Sequence, residues 1–347
     1  MGALNCCEKK NSKKNAKGGK KGQEDIHSKK TMFSYGKEGQ KKDMEQVGQD
    51  SYDTIGSEFG LPLRYIAVYD GHGVKGKEAA NLAKEEIHKA LVNDKKNVAA
   101  LKDRKDAEKY FKKLFKNVQS KFKKRSSEFE SSGTCVIGVL INESQCFIIN
   151  LGDSRAVIGS TQNHQKIAYQ MSIDHKANRD DEKLRIEGAG GLVSSEKSGA
   201  GGPARVYSRN EEGPGLAVSR SLGDLFGHTV GVSDEPEISY KDIDADDKFV
   251  AIGSDGIWDV MNSAEIIGLI FEKLADHQTI QIKEKIAETI VTECRNRWEV
   301  INMYKQKLQN DKNAKDGGQG KSNSTYQSSY TIDDITTVNC YFNLSDT

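Results

Sequence analysis

Hydrophobic residues along the chain form two kinds of pattern, and the first predicts β-strands. Short runs rich in β-branched and aromatic residues, several flanked by turn residues, are typical of buried strands. The polar stretch between residues 141 and 146 has the length of a hairpin connection. The predicted strands cover residues 65–69, 135–141, 146–150, 156–158, 249–253 and 336–342.

The second pattern predicts helices. Apolar side chains recur every three or four residues from Ala107 to Phe122, which is the spacing of one helical face. Strands come in groups along the chain and helices come in pairs, and this order favours antiparallel sheets covered by helices over alternating βαβ units. The predicted helices cover residues 76–92, 104–127, 263–275 and 279–297.

Two segments lack either pattern and set the domain organisation. Residues 1–30 are lysine-rich and poor in apolar residues, so we expect a disordered basic tail. Residues 31–347 form the predicted globular domain. Within it, residues 309–329 are polar and of low complexity, and we expect a loop inserted before the last strand.

The composition and charge of the chain argue against some classes of protein function. The chain has 347 residues with 35% hydrophobic and 30% charged residues, and no apolar run approaches the ~20 residues of a membrane span. The net charge is +1, to which residues 1–30 contribute +6 and the remainder −5. An acidic body argues against a core that binds nucleic acid, whereas a basic tail suits an anionic surface. Six cysteines without metal-site spacing favour a reducing, cytoplasmic setting.

The first ten residues, MGALNCCEKK, raise the question of lipidation. Gly2 becomes the N-terminus once Met1 is removed, but the myristoylation pattern places Ser or Thr where this chain has Cys6. Cys6 and Cys7 are candidate palmitoylation sites, and two membrane signals together bind stably. The alternative is an unmodified start with two incidental thiols. We expect acylation and association with the cytoplasmic face of a membrane.

A strand that ends on a carboxylate provides the first candidate chemistry. The run RYIAVYDGHGVKG reaches Asp70, followed by Gly71 and His72. Glycine leaves its carbonyl oxygen accessible, and Mg2+ and Mn2+ prefer carboxylate, carbonyl and water oxygens. An adjacent histidine is suited to proton transfer near neutral pH. Taken alone, the stretch is also compatible with a simple turn.

The same signature recurs, and the repetition favours a metal site. Asp255 follows another apolar run, Asp153 lies between two runs, Asp333 precedes the last strand and Asp50 lies in a glycine-punctuated stretch. Single aspartates at strand ends are common turn formers, but five such positions are poorly explained by turns. Together they predict a centre for two divalent cations of the kind that activates water for attack at phosphorus.

The motifs resemble, in order from about residue 33 to 343, those of the metal-dependent protein serine/threonine phosphatases of type 2C. They are GQDSY, YDGHG, SSGTCVIGVLI, NLGDSRAVI, DHKANRDDEKLRIEGAGGLV, LAVSRSLGD, GVSDEPEI, GSDGIWDVM and IDDITTV. The resemblance implies an α+β, four-layer α-β-β-α sandwich in which two antiparallel sheets are flanked by helices. It also implies Mg2+ or Mn2+ between the sheets, phosphoprotein substrates, and hydrolysis of phosphoserine and phosphothreonine without a covalent intermediate; nothing requires more than a monomer.

The resemblance also implies roles for individual residues. The metal carboxylates would be Asp50, Asp70, Asp255 and Asp333, with the carbonyl of Gly71, and Asp70 would bridge two ions. His72 would be the general acid. Asp153 and Asp259 would join Asp255 at a third, weaker ion. Thr134 matches a hydroxyl near the site, or is simply the first residue of a strand. Residues 174–222 should include a flap, in which 174–176 and 219–224 pack and cap rather than catalyse.

Several residues depart from the family pattern. Glu45 stands where many members have an arginine that binds substrate phosphate, and Gln49 replaces an acidic residue. Lys41 or Lys42 is the candidate to supply the missing positive charge, and a solvated basic turn is the alternative. Asp334 stands where asparagine is usual. These changes leave open a catalytically weak regulatory or binding module, and the acidic site leaves open a hydrolase of small-molecule or lipid phosphates.

Overall fold

Two antiparallel sheets form the centre of the molecule. The structure is a computed structural model that describes residues 33–39, 48–142, 144–196, 202–210, 215–276, 280–315 and 333–342. All of them belong to one compact unit, Thr31–Thr347. The predicted tail 1–30, with Gly2, Cys6 and Cys7, lies outside the described residues, as do Lys41 and Lys42.

The first sheet has six strands in the order β11-β5-β4-β3-β2, with β10 paired to β4. Its strands are β2 (Ser51–Ile55), β3 (Leu63–His72), β4 (Gly133–Asn142), β5 (Gln145–Leu151), β10 (Leu222–Gly223) and β11 (Glu237–Asp242). The second sheet has the order β1-β13-β12-β6-β7. Its strands are β1 (Phe33–Gly39), β6 (Arg155–Gln162), β7 (Gln165–Gln170), β12 (Asp247–Gly253) and β13 (Ile335–Tyr341).

Helices cover the outer faces of both sheets, and a small hairpin stands apart from them. The hairpin pairs β8 (Gly191–Ser194) with β9 (Arg205–Ser208). The helices are α1 (Gly76–Asn93), α2 (Lys95–Ala99), α3 (Arg104–Lys123), α4 (Ser126–Phe129), α5 (Asp180–Gly188), α6 (Leu225–His228), α7 (Asp255–Trp258), α8 (Ser263–Asp276) and α9 (Ile280–Lys315). Among the described residues, no helix combines the length and the apolar composition that crossing a membrane needs.

Three apolar cores separate the four layers. One lies between the first sheet and helices α1 and α3, a second between the two sheets, and a third between the second sheet and helices α7 to α9. In β3, Tyr65 and Tyr69 pack into the helix-side core, whereas Ile66 and Val68 pack between the sheets. Burial on both faces explains why the central strands are continuously hydrophobic in sequence. The α+β sandwich with two antiparallel sheets and helices is confirmed.

The structure contains each predicted strand and helix, and the differences have physical causes. Strands β2, β7 and β11 were not predicted, because each carries polar residues over much of its length. Helix α9 continues beyond 297 to Lys315, since its sequence has no glycine or proline and is rich in helix-forming lysine and glutamine. The first residues of the predicted 309–329 loop are therefore helical, and residues 316–332 lie outside the described residues.

A buried carboxylate fixes helix α5 to the rest of the molecule. Glu182 is fully buried, and its Oε1 accepts hydrogen bonds from Arg185 at 2.5 Å and Arg220 at 2.7 Å. Ser219 donates to its other oxygen. Burial alone would raise the pKa of Glu182, but these donors outweigh it and lower the pKa to about 2. Arg220 also contacts Glu237 of β11, so the network joins α5 to the first sheet.

Candidate active site

Carboxylates from both sheets meet at one rim of the sandwich. Asp70 shares the inter-sheet side of β3 with Ile66 and Val68, because residues two apart on a strand lie on the same face. Asp255 begins α7 directly after β12, and Asp153 lies in the turn between β5 and β6. One oxygen from each of Asp70, Asp153 and Asp255 lies within 4.8 Å of the others.

Burial and mutual repulsion raise the pKa of two members of this cluster. For Asp70 the largest cause is burial, followed by the charges of Asp255 and Asp50. For Asp255 it is again burial, followed by Asp153 and Asp333. Concentrated negative charge without matching cations is the electrostatic environment that a divalent cation relieves.

Asp50 lies at the same rim with a buried carboxylate. Its side chain is 3% exposed, and within the described residues neither carboxylate oxygen makes a hydrogen bond of normal geometry. Burial and then the charge of Asp334 raise its pKa to about 7, although the hydroxyls of Ser254 and Thr336 offset part of the rise. Buried carboxylate oxygens of this kind fit a hard cation such as Mg2+ or Mn2+.

Asp334 is buried and does not face solvent. Its side chain is 3% exposed, and its Oδ2 accepts a hydrogen bond of 2.6 Å from the backbone N–H of Gln49. Gln49 in turn donates from Nε2 to the carbonyl of Gly73 at 2.6 Å. Gln49 and Asp334 both depart from the family pattern. Their hydrogen bonds join the segments that carry Asp50 and Asp70 to the residues just before the last strand.

Gly71 occupies a position that has no room for a side chain. A Cβ atom there would lie 2.3 Å from the carbonyl oxygen of Gly76 and 2.7 Å from that of Gln49. The start of α1 and the segment before β2 therefore approach the end of β3 directly. This close approach keeps the backbone of Gly71 beside Asp70 at the rim.

His72 is paired with a carboxylate that the sequence analysis assigned to packing. Its Nε2 lies 2.6 Å from Oδ2 of Asp224, which also accepts a 2.6 Å hydrogen bond from Ser221. Burial would lower the pKa of His72, but the charge and hydrogen bond of Asp224 outweigh it and raise the pKa. This pairing favours the protonated form of the imidazole. No spacing in the sequence links positions 72 and 224.

The backbone around Asp224 is fixed by helix α3. Asp224 has a φ of 43°, in the left-handed region that is unfavourable for most residues. Gln119 of α3 donates from Nε2 to the carbonyl of Gly223 at 2.9 Å and accepts from its N–H at 2.8 Å. Both of these hydrogen bonds are buried. The orientation of Asp224 toward His72 is therefore built into the packing of the first sheet.

These groups line one cleft of about 310 Å³. Its floor includes Asp70, Gly71, His72, Asp153 and Asp255, and Asp333 reaches it from the second sheet. Residues 34–303 of the chain match the profile of the family described as Protein phosphatase 2C. This chain belongs to the protein phosphatase 2C family. The family is one of protein serine/threonine phosphatases and implies dependence on Mg2+ or Mn2+, which the acidic cluster fits.

Individual relatives agree with this family. The chain is 29% identical over 244 residues to Probable protein phosphatase 2C 35 of Arabidopsis thaliana, covering 65% of this chain and 68% of the relative. It is 33% identical over 221 residues to Probable protein phosphatase 2C 14 of the same plant, covering 64% of this chain but only 44% of the relative. A crystal structure of serine-threonine phosphatase 2C from Toxoplasma gondii shares the fold, with a TM-score of 0.65, 17% identity and coverage of 90% and 94%.

Three further predicted residues of this 2C phosphatase differ in their surroundings. Asp153 is already paired, because the Nζ of Lys176 lies 2.5 Å from its Oδ2 and lowers its pKa despite burial. Asp259 is exposed, one turn beyond Asp255 and outside the cluster of three. Thr134 is fully buried and donates to the carbonyl of Cys135 at 2.9 Å. It does not appear among the described residues that line the cleft.

One cleft residue of the phosphatase was missed by the sequence analysis. Arg205 of β9 lines the same cleft as the acidic cluster and donates from Nη1 to the carbonyl of Gly215 at 2.7 Å. Among the described cleft-lining residues it is the only lysine or arginine. Arginine in a polar hairpin has no sequence signal that separates it from an ordinary surface residue. Its proximity to the cleft depends on the tertiary position of the β8–β9 hairpin.

Proposed function

We propose that this chain is an active Mg2+- or Mn2+-dependent phosphatase that hydrolyses phosphoserine and phosphothreonine in proteins with a metal-activated water. The observation that carries the proposal is the group formed by Asp70, Asp153 and Asp255, whose oxygens lie within 4.8 Å of one another beside His72. A regulatory module without chemistry would have no need of buried acids whose ionisation is unfavourable without a cation.

We assign the metal ligands as the sequence motifs suggest. Asp50, Asp70, Asp255 and Asp333, with the carbonyl of Gly71, would hold two ions, and Asp70 would contact both. Asp153 and Asp259 would complete, with Asp255, a third and weaker site. When bound, the cations supply a water nucleophile of lowered pKa and neutralise charge on the phosphoryl oxygens.

We assign His72 as the group that protonates the leaving oxygen. Departure of a serine or threonine alkoxide requires a proton, and a positioned acid with a suitable pKa supplies it. Nε2 lies 2.6 Å from Oδ2 of Asp224, and this pairing orients the ring and raises the pKa of the imidazole. Asp224 is then a positioning residue, since it acts through His72.

We further assign Arg205 to binding of the substrate phosphate. Its guanidinium lies on the cleft, and only Nη1 has a partner among the described residues, the carbonyl of Gly215. The remaining N–H donors can form the paired hydrogen bonds that guanidinium groups make to phosphate. This role suits a chain in which Glu45 replaces the usual arginine. The predicted contacts of Lys41 and Lys42 stay predictions.

The test of the proposed activity compares two neutral substitutions. Asp70→Asn should lower turnover of a phosphothreonine peptide with Mn2+ by several orders of magnitude, because a bridging ligand is lost. Asp246→Asn, at an exposed turn, is the control and should leave turnover unchanged. Chelation should abolish the activity of the parent protein. Near-normal turnover by the Asp70 variant would contradict the assignment, and turnover of a phosphoinositide but not the peptide would favour a lipid substrate.

We also propose that the phosphatase is held at the cytoplasmic face of a membrane by acylation of its tail. The support is the sequence, in which Gly2, Cys6 and Cys7 precede a run of lysines. Gly2→Ala should shift the protein from the membrane to the supernatant fraction of cells. Unchanged partitioning would count against myristoylation, whereas a shift seen only with Cys6→Ser and Cys7→Ser would assign the anchor to palmitate.

A further inference from the structure

Helix α3 presents a continuous basic surface on the side away from the core. Its twenty residues include eight lysines and arginines against two acidic residues. Six of these lysines recur at helical spacing and are all exposed. We call them the lysine face: Lys105, Lys109, Lys112, Lys113, Lys116 and Lys123.

The lysine face follows from the way α3 packs. Ala107, Phe111, Leu114 and Phe122 are buried against the first sheet, and this fixes the opposite side of the helix toward solvent. From the first to the last lysine the face extends about 27 Å, at 1.5 Å per residue. A rigid, straight helix therefore holds the charges in one row.

Most of this positive charge is uncompensated. Within the described residues, Lys112 is the one member of the lysine face with an ion pair, to Glu235 at 3.3 Å. Two acidic residues, Asp94 and Asp106, line the groove beside its N-terminal half, and the exposed Lys96 and Lys102 lie in the adjoining segment. The surface is basic even though the chain after residue 30 has a net negative charge.

We propose that the lysine face binds an anionic lipid bilayer. Protein interfaces are enriched in tryptophan, tyrosine and arginine and depleted in lysine, and the lysine face has no aromatic or arginine anchor. Lysine is a flexible, strongly hydrated point charge, which suits a fluid layer of lipid headgroups better than a shaped protein pocket. Clustered lysines near such a surface each contribute about 1 kcal/mol, a factor of about five in affinity.

The position of α3 is compatible with catalysis on a membrane. The helix covers the outer face of the first sheet, whereas the cleft opens at the rim between the sheets. Docking through the lysine face leaves the cleft accessible from the side. The attraction between the lysine face and anionic lipids does not require acylation of the tail. Unacylated protein can therefore test it independently of the proposed acyl anchor.

The experiment measures binding of the full, unacylated chain to vesicles by sedimentation. Phosphatidylcholine vesicles with about 30% phosphatidylserine should bind the protein, pure phosphatidylcholine should not, and about 0.5 M NaCl should release it. The quadruple variant Lys105→Gln, Lys109→Gln, Lys113→Gln and Lys116→Gln should bind at least about 10²-fold more weakly. Both proteins should hydrolyse p-nitrophenyl phosphate equally, because none of these residues lines the cleft.

A control variant removes the same charge elsewhere. Lys183→Gln, Lys285→Gln, Lys305→Gln and Lys307→Gln neutralise four exposed lysines on α5 and α9. This variant should bind within about fivefold of the parent. Equal losses in the two variants, or no loss in the first, would overturn the proposal. Binding of the parent to duplex DNA or to an acidic peptide but not to the anionic vesicles would also overturn it.

Discussion

At the scale of single residues, the proposed proton donor His72 is oriented by its partner, Asp224. Asp224 raises the pKa of His72 against the effect of burial, and its own backbone is held in the left-handed region by the packing of Gly223 and Gln119. For a histidine beside this acidic cluster, burial lowers the pKa whereas the nearby negative charges raise it. The pairing with Asp224 outweighs burial and raises the pKa of His72. Substitution of His72 or Asp224 should therefore change the kinetics.

We predict that Asp224→Asn lowers turnover by about 10- to 10²-fold for a poor leaving group such as phenyl phosphate. The loss should be smaller for p-nitrophenyl phosphate, whose leaving group needs less protonation. Because Asp224 raises the pKa of His72, its removal should move the alkaline limb of the kcat profile to lower pH. Ser221→Ala, which removes only one hydrogen bond to Asp224, should show a weaker form of both effects. An unshifted profile would argue against the assigned pairing.

A second residue-scale prediction concerns Arg205. Arg205→Ala should raise KM for a phosphopeptide about tenfold or more, because charge-assisted hydrogen bonds to phosphate are lost. Arg205→Lys should restore part of the loss, since a point charge remains without the planar fork. The matched control is Arg209→Ala, an exposed arginine at the next turn. Equal KM values for the two alanine variants would remove Arg205 from the site.

The sequence alone predicted the acidic residues better than their neighbours. Asp70, Asp153 and Asp255 each follow or separate apolar runs, and the alternation of buried strands places such residues at a sheet rim. Asp224 and Arg205 have no comparable local signal, because their contacts join segments far apart in the chain. Their roles depend on tertiary packing, which a pattern of nearby residues does not encode.

At the scale of secondary-structure elements, helix α5 depends on one buried charge network. The carboxylate of Glu182 accepts hydrogen bonds from Arg185, Arg220 and Ser219. An ion pair between Arg220 and Glu237 extends the network to β11. Glu182→Gln should destabilise the protein by about 3–5 kcal/mol at neutral pH, because buried arginines lose their counter-charge. Glu187→Gln, at a half-buried position whose Oε1 lies 3.8 Å from the Nζ of Lys183, should cost less than about 0.5 kcal/mol.

The pH dependence of this effect has a defined sign. The pKa of Glu182 is lowered from 4.5 to about 2, so its stabilising contribution is complete above pH 4.5 and is lost as the pH falls toward 2. Urea unfolding at pH 7 and pH 3 should therefore show a smaller difference between parent and Glu182→Gln at the lower pH. A difference that is constant with pH would mean that the charge of Glu182 is not responsible.

Strands were predicted correctly where both of their faces are buried, and were missed where they are only partly buried. Strands β3, β4 and β12 pack against cores on both faces, and their sequences are continuous hydrophobic runs. Strand β7 has exposed or half-buried residues throughout, so its sequence resembles a loop. Helix α9 was predicted too short, although nothing in its sequence after residue 297 terminates a helix.

At the scale of the whole molecule, the acidic rim costs stability when no cation is bound. Burial raises the pKa of Asp50 from 3.8 to about 7, so this group favours the folded state at low pH and that contribution is lost as the pH rises through 7. A cation that binds the folded protein reverses the loss by mass action. We predict that Mn2+ raises the melting temperature more at pH 8 than at pH 6.

Asp50→Asn checks the origin of this effect. The neutral side chain should raise the melting temperature of the metal-free protein at pH 8 by at least about 2 °C, because each kcal/mol corresponds to a few degrees. The same variant should show a smaller increase with Mn2+, since a ligand is missing. Asp246→Asn should change neither value. A lower melting temperature for metal-free Asp50→Asn would show that the carboxylate stabilises the fold rather than straining it.

The division of the acidic cluster between the two sheets has a further consequence. Asp50 and Asp70 belong to the ends of strands in one sheet, whereas Asp255 and Asp333 flank strands of the other. Neither sheet alone carries the full set of proposed ligands. A shift of one layer against the other by a few ångströms would dismantle the centre without altering any single residue in it. Catalytic activity should therefore report on the docking of the layers, and inhibitors that wedge them apart would act without ever entering the cleft.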